Sequence, residues 1–458
     1  MSETRTQKFK NLMPPKVALP LLFSYLVEHT AISLYWIFFG ISLEEDLGAS
    51  YFLIALVLSV PGIVSIFGTS IFSSIADKIG HHRELMVLSR VFLMIQYILL
   101  IFFRRKSIWV NLIILGFFAL FTQAFYILNS SLITIICKPE DRGQVTSFQT
   151  VFASAGWMIG SGLSAIIKTN LGIDGNLAFA AGLGMLAGLV TLFSSSKAWN
   201  ADQIDGETKQ ASKSSEIIPI PIISTKEERM VEETSTTINV VKQIDKTQKT
   251  ASYWSIFKRK EIFTLLIILA ILDFGFGPFN TLTSLYLVKV GMNDYFLSLG
   301  NVIATLLGLI LSFIISKPLD KRGRKPFLII GLIAYPIIYG MMYIFSGYWV
   351  AIFVIYNYPL YAIKVPAVNT IISDHTSEKE RSRGLSLGNF EQIIMATIGG
   401  LIAALIADNI SLGIFTFPLF PVVFGAIATI LAIFFVKESN KEFLKRKNQF
   451  VETTSLSE

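Results

Sequence analysis

The sequence predicts an all-α integral membrane protein, with 12 transmembrane helices arranged as two pseudo-symmetric halves of six. Three observations predict it. Of 458 residues, 53% are apolar and only 16% charged, with a mean hydropathy of +0.60; that much apolar surface cannot be wrapped into one soluble core. Apolar runs long enough to cross a hydrocarbon layer, about 20 helical residues for about 30 Å, occur twelve times. Short polar motifs that follow the second and fourth runs return after the eighth and tenth.

The first six runs span about 17–42, 51–75, 85–103, 108–137, 145–167 and 177–195. The second six span about 262–288, 295–315, 327–345, 349–372, 385–407 and 412–436. Alternating segments of about ten residues, the mark of a barrel, are absent, so helices must satisfy these backbones in lipid. Arg5, Lys8, Lys10 and Lys16 precede a first run much longer than a signal-peptide core, which marks an uncleaved first span. Between 196 and 261 the composition shifts to Ser, Thr, Lys, Glu and Gln, too polar to bury a core. The expected order is a cytosolic tail at 1–16, a six-helix half at 17–196, a disordered cytosolic loop at 197–260, a second half at 261–436 and a cytosolic tail at 437–458. At the end of the loop, Trp254 and Phe257 stand beside Lys258, Arg259 and Lys260. That composition suits either a helix lying on anionic lipid or an aromatic belt at the mouth of span 7.

Lysine and arginine set the orientation, because short loops rich in them stay in the cytoplasm. With both termini inside, the short inner segments hold 21 of the 39 basic residues, the central loop 11 and the outer loops five, while Arg90 and Lys364 lie within spans. Three of the outer five are Arg104, Arg105 and Lys106, a local exception to the rule. The asymmetry accounts for the net charge of +7 without nucleic acid, since the basic residues sit between apolar runs and not in aromatic-laced patches. The expected location is the plasma membrane. The one cysteine, Cys137, and the scattered His29, His81, His82 and His375 offer no disulfide and no metal or nucleophile cluster. No GxxxxGK(S/T) loop is present for ATP. Neither metal, cofactor nor enzymatic chemistry is expected.

After the second run stands Ser73-Ser-Ile-Ala-Asp77-Lys78-Ile-Gly80-His81-His82-Arg83, and after the eighth Ser316-Lys-Pro-Leu-Asp320-Lys321-Arg322-Gly323-Arg324-Lys325, so that Asp and Gly both recur 243 residues on. Arg142-Gly143 likewise recurs as Arg383-Gly384, at 241. Two anchors at nearly one period indicate a duplicated six-helix unit related by an axis along the membrane normal. On these residues the chain resembles the major facilitator superfamily of secondary transporters over all 12 spans. That family's inner-loop signature, G-x-x-x-D-(R/K)-x-G-(R/K)-(R/K), is met by Asp320, Lys321, Gly323, Arg324 and Lys325, and in the first copy by Asp77, Lys78 and Gly80. Serine replaces the leading glycine in both copies, and His81-His82 the basic pair in the first. The resemblance implies a cytosolic gate made by Asp77, Lys78, Gly80, Arg83 and Arg142 with Asp320, Lys321, Gly323, Arg324, Lys325 and Arg383. In it the aspartates cap helix N-termini and pair with neighbouring bases while the cavity faces outward. By composition alone these are positive-inside loops with a turn glycine.

Charges within spans mark function, because burial in hydrocarbon is costly without a partner or a role. Glu28 lies 11 residues beyond Val17, about 16 Å along a helix and near mid-span. With Ser24 and Tyr35 it forms a polar stripe that is expected to face the central cavity. Asp273 lies at similar depth in span 7, followed at helical spacings by Gly277, Asn280 and Ser284. Shielding from water penalises an ionised carboxylate, so both are expected to load and release a proton near neutral pH. Lys364 would neutralise a carboxylate or hold an anionic substrate. Glu391, about two turns into span 11, would meet Arg90, Lys364 or water, and Arg90 would snorkel to the headgroups. His29 points to helix packing. Gln123 and Asn301 head polar stripes that either line a hydrated pathway or glue helices together. Tyr35, Trp36, Tyr126 and Trp157 suit an amphipathic or ring-containing solute.

The expected function is secondary active transport of a small organic solute by alternating access, coupled to H+ as symport or antiport, by a monomer in the lipid bilayer, with export favoured over import. Subfamily marks decide little. The span 5 motif of drug-proton antiporters, G-x-x-x-G-P-x-x-G-G, survives as Gly156 and Gly160, but Ser161 and Ser164-Ala165 replace the rest. The sugar-porter run after span 6 and the E-x-x-E-R-F pattern of peptide transporters in span 1 are absent. The alternatives are a non-transporting sensor or receptor on a transporter scaffold and a proton-independent uniporter.

Overall fold

The computed structural model describes residues 14–137, 139–194, 253–345, 347–377 and 380–440. Both expected tails beyond these bounds, and nearly all of the expected central loop, lie outside the described residues. The helices are α1 (Leu19–Leu47), α2 (Tyr51–Ile79), α3 (His82–Phe103), α4 (Ile108–Ile136), the run Pro139–Leu192, α7 (Lys260–Lys289), α8 (Asp294–Arg322), α9 (Lys325–Met341), α10 (Tyr348–Asp374), α11 (Arg381–Asn409) and α12 (Leu419–Phe435). The run Pro139–Leu192 is two helices, because the backbone leaves helical angles at Gly172 (φ 68°, ψ −176°), a conformation that residues with a side chain rarely adopt. We label its parts α5 (139–171) and α6 (173–192). A short helix, Tyr253–Phe257, precedes α7, and a 3-10 turn, Gly413–Thr416, precedes α12. No strand occurs among the described residues.

Nine stretches among the described residues are long and apolar enough to cross a membrane; one of them, Gln144–Leu192, holds both α5 and α6, and Lys325–Met341 is a shorter apolar helix. Side chains start several helices: Ser50 accepts from Leu53 N–H, Ser107 from Trp109 N–H and Asn293 from Phe296 N–H, each satisfying a donor with no helical partner. The repeated polar motifs, expected as loops, prove to be the last turns of α2 and α8. Gly80 (φ 74°) and Gly323 (φ 92°) end these helices, and His81 and Arg324 stand at the caps of the helices that follow. A helix leaving hydrocarbon can continue on charged residues, and a glycine at the left-handed position then stops it.

Packing is heaviest where α1 meets α5–α6, α2 meets α4, α7 meets α11, α3 meets α5–α6 and α8 meets α10. The first six helices touch the second six chiefly where α2 packs on α11 and α8 on the run Pro139–Leu192. At the α1–α5 crossing a Cβ on Gly156 would collide with the Leu26 carbonyl, and at the α7–α11 crossing a Cβ on Gly399 would collide with the Phe274 carbonyl. Backbones therefore touch directly at both places. The Phe274 carbonyl is the one that Pro278, inside α7, deprives of its helical N–H.

Contacts sort the helix ends into two faces. Arg83 reaches the Ser194 carbonyl (3.4 Å), Arg259 the His375 carbonyl (2.7 Å) and Glu438 the N–H groups that open α9; these ends, with the chain's entry to α1 and exit from α12, form the terminal face. Arg104 joins Asp46 and Asp174, and Asp408 joins Tyr51; these ends form the far face.

Candidate functional site

Two buried ion pairs stand between the faces. Glu28 on α1 and Arg90 on α3 are both fully buried and paired with each other. The Arg90 guanidinium lies 4.2 Å from the Phe125 ring centroid and donates to the carbonyl of Thr122 at 3.3 Å. Arg90 therefore does not snorkel to headgroups: a carboxylate within its own bundle removes the reason to. Of the stripe assigned to the central cavity, Ser24 and Glu28 prove to face the interior of the first six helices, while Tyr35 borders a cavity. Ser24 bonds to the Ala187 carbonyl and Thr191 hydroxyl on α6 (both 2.9 Å), and Tyr35 packs edge-on against Tyr97. The face that meets hollows is the neighbouring one, Tyr25, His29, Ile32 and Trp36. His29, expected in helix packing, lines a hollow with Tyr25, Gln149 and Trp157, its Nδ1 2.8 Å from the Tyr25 carbonyl. Spacing reveals which residues share a face but not what that face meets.

In the second six, Lys364 on α10 donates to Asp273 Oδ1 on α7 at 3.0 Å, both side chains buried. Glu391 on α11 lines the same cavity of about 60 Å³, and its two carboxylate oxygens are buried without a hydrogen-bond partner among the described residues. Of the partners that the sequence offered Glu391, the structure thus brings up Lys364. Two carboxylates here line a cavity with one ammonium group, which pairs with Asp273, whereas Glu28 has Arg90 as its partner.

Two larger cavities, of about 220 and 310 Å³, share Trp36 and Trp157 as lining residues. Asn280 and Asn301 line the first, Tyr35 and Gln123 the second, so four of the expected residues gather here. Glu28 lines neither. Neither lining contains an Asp, Glu, Lys, Arg or His.

At the far face the three-residue basic exception is resolved. Arg104, only 2% exposed, is held by Asp46 from the end of α1 and by Asp174 from the start of α6, and Arg105 reaches Asp174 at 3.0 Å. Polar links between the first and second six helices among the described residues also lie toward this face: Lys289 with Glu44 (2.8 Å), Lys168 with Asp294 (2.9 Å), Ser164 with Ser298 (3.0 Å) and Asp408 with the start of α2. None of these partners was legible in the sequence, since exposed loop charges carry no mark of what they meet.

At the terminal face, the side chains of Asp77, Arg142, Asp320 and Lys321 lie outside the described residues. Lys78 is exposed. The partners found for Arg83, Arg324 and Lys325 belong to their own six helices. Arg83 pairs with Glu84 (2.9 Å), Arg324 with Asp374 (3.4 Å), and Lys325 donates to the Ile433 carbonyl (2.7 Å). Glu438, past the end of α12, accepts from the N–H groups of Arg324 and Lys325 at 2.8 and 3.0 Å, a helix-capping role that the sequence had suggested for the motif aspartates. The Arg383 guanidinium lies 5.9 Å from the ring centroid of Tyr253. Glu380 accepts from the backbone and hydroxyl of Ser377, which with Arg259 (2.9 Å) holds its carboxyl below the usual range.

The fold has solved counterparts. The nucleoside transporter NupG is 13% identical with a TM-score of 0.65, the match covering 92% of this chain and 98% of that one. The xylose transporter XylE from E. coli, inward open, is 15% identical with a TM-score of 0.66 over 94% and 98%. A bacterial homologue of the human lysosomal transporter Spinster, inward-facing and unoccupied, is 13% identical with a TM-score of 0.65 over 92% and 97%. At such identities these structures speak for the fold. No curated protein sequence matches the chain. The model of the Major Facilitator Superfamily matches residues 21–390, and with that span the chain belongs to this family of multi-pass membrane transporters.

Proposed function

We propose that the protein is a proton-coupled secondary active transporter of a small organic solute, working by alternating access, with its far face outside the cell and export favoured over import. The observation that carries the reading is the Asp273, Lys364 and Glu391 cluster. One ammonium group neutralises one carboxylate; the second, buried, is least costly when protonated. A proton leaving Glu391 would draw Lys364 between two anions and so alter the ties among α7, α10 and α11. Because α11 also packs on α2, that change reaches the contact between the two sets of six helices. Proton occupancy and conformation then become linked equilibria. Glu28, matched one to one by Arg90, is less suited to the role, and the reading assigns the proton to Glu391 with Asp273 as its partner. The far-face links fit a state in which that side is shut.

The test uses purified protein in liposomes and a solute found by thermal-shift screening, since a ligand that binds the folded state raises its apparent stability. Glu391→Gln should abolish accumulation driven by a pH gradient while exchange at equal concentrations persists. Accumulation with the parent's pH dependence would remove Glu391 from the mechanism. Parent protein that binds the solute but never exchanges it would be a sensor, and exchange indifferent to pH would be uniport.

A further inference from the structure

The two cavities that share Trp36 and Trp157 carry chemistry that selects a class of solute. We infer that the molecule bound there is uncharged and ring-bearing, with its ring against Trp36 and Trp157 and its hydrogen-bonding groups met by the carboxamides of Gln96, Gln123 and Asn280. The inference rests on the transport reading only in calling that molecule the cargo.

The charge argument comes first. No Asp, Glu, Lys, Arg or His lines either cavity. Glu28 and Arg90 are committed to each other. Asp273, Lys364 and Glu391 line a separate cavity that shares no lining residue with these two. A charged solute would surrender its hydration and find no counter-ion, which costs more than an uncharged solute pays. The tryptophan faces would attract a cation, but a cation–π contact replaces only part of the hydration that the cation surrenders.

The polar argument follows. Gln96 is 3% exposed, lines the larger cavity, and its Oε1 is buried without a hydrogen-bond partner among the described residues. A buried carbonyl left without a donor is costly, and a solute N–H or O–H would offset that cost. Asn280 is exposed into the smaller cavity. The site therefore offers an apolar wall with amides around it, the usual make-up of a small-molecule pocket.

The experiment compares three probes that share one ring: naphthalene-2-carboxamide, 2-naphthoate and 2-naphthylmethylammonium. Binding to the purified protein at pH 7 is read by titration calorimetry and by the shift in melting temperature. The carboxamide should bind roughly tenfold tighter than either ion. Trp157→Ala should weaken it by roughly tenfold, a loss in the range of one aromatic contact. Gln96→Leu removes the lone acceptor and should weaken the carboxamide while leaving 2-methylnaphthalene, which has no donor, as it was. Gln123→Leu repeats the comparison should either of those variants fail to fold. An ion binding as tightly as the carboxamide, or a carboxamide that does not bind or ignores all three substitutions, overturns the inference. Counterflow in liposomes separates the two readings. A carboxamide that binds but never exchanges counts against transport and leaves the solute class standing, whereas exchange confined to charged solutes counts against the class and leaves transport standing.

Discussion

The Asp408 carboxylate, at the end of α11, accepts the N–H groups of Tyr51 and Phe52, each at 2.9 Å, and so caps α2 from the opposite set of six helices. A carboxylate at a helix N-terminus satisfies donors that the helix cannot and meets the positive end of its dipole. With Lys289–Glu44 and Lys168–Asp294 it joins the two sets of six helices at the far face, and the alternating access proposed above requires these links to part.

Asp408→Ala should therefore favour far-face opening. Loss of such a cap costs about 1 kcal/mol, roughly a fivefold shift in the ratio of states. A cysteine at Ser298, buried beside Ser164, in a background with Cys137 replaced by Ser, should then react roughly fivefold faster with an impermeant thiol reagent. An unchanged rate would mean that the cap does not hold the closed state.

Arg104 tests the exception to the positive-inside rule. Its two aspartate partners are about 30% exposed, so water softens their repulsion, and Arg104→Gln should cost about 2 kcal/mol, below the range for a wholly buried pair. The melting temperature should fall, and Asp46→Asn with Asp174→Asn in the same background should restore much of it. A single variant that melts like the parent would show that the cluster contributes nothing.

The Glu28–Arg90 pair separates structure from coupling. Glu28→Gln strands a buried guanidinium at a cost of about 3–5 kcal/mol and should lower the yield of folded protein. Adding Arg90→Met removes the stranded charge and should recover it. If the double variant still accumulates solute with the parent's pH dependence, the pair is structural. If Glu28→Gln folds normally and loses only the pH dependence, Glu28 takes the role assigned to Glu391.

How much was legible follows from the solvent. Hydrocarbon demands long apolar helices, so the twelve runs could be read directly, and the 243-residue echo of Asp77 and Gly80 gave the family resemblance. Burial told that Glu28, Asp273 and Glu391 matter. It could not tell which face of α1 turns to α3 and which to a cavity, so Glu28 was aimed at the cavity and His29 away from it. Arg104 looked like a violation because Asp46 and Asp174 lie 58 and 70 residues away, and no local pattern links them. Gln96 carried no signal at all, since an unmet carbonyl is visible only once its neighbours are in place.

Gly156 and Gly399 stand 243 residues apart, the same offset as the motif aspartates, and each presents bare backbone to a neighbouring helix. Where leucines interlock, a helix must lift out of its groove before it can change angle. Two backbones in contact have no such teeth, so each crossing can serve as a fulcrum, about which α1 swings against α5 and α7 against α11 with little repacking. Trp36 rides on α1 and Asn280 on α7. A small swing at either fulcrum would therefore reshape the cavity walls, and a single added methyl group at Gly156 or Gly399 would be a wedge in the hinge.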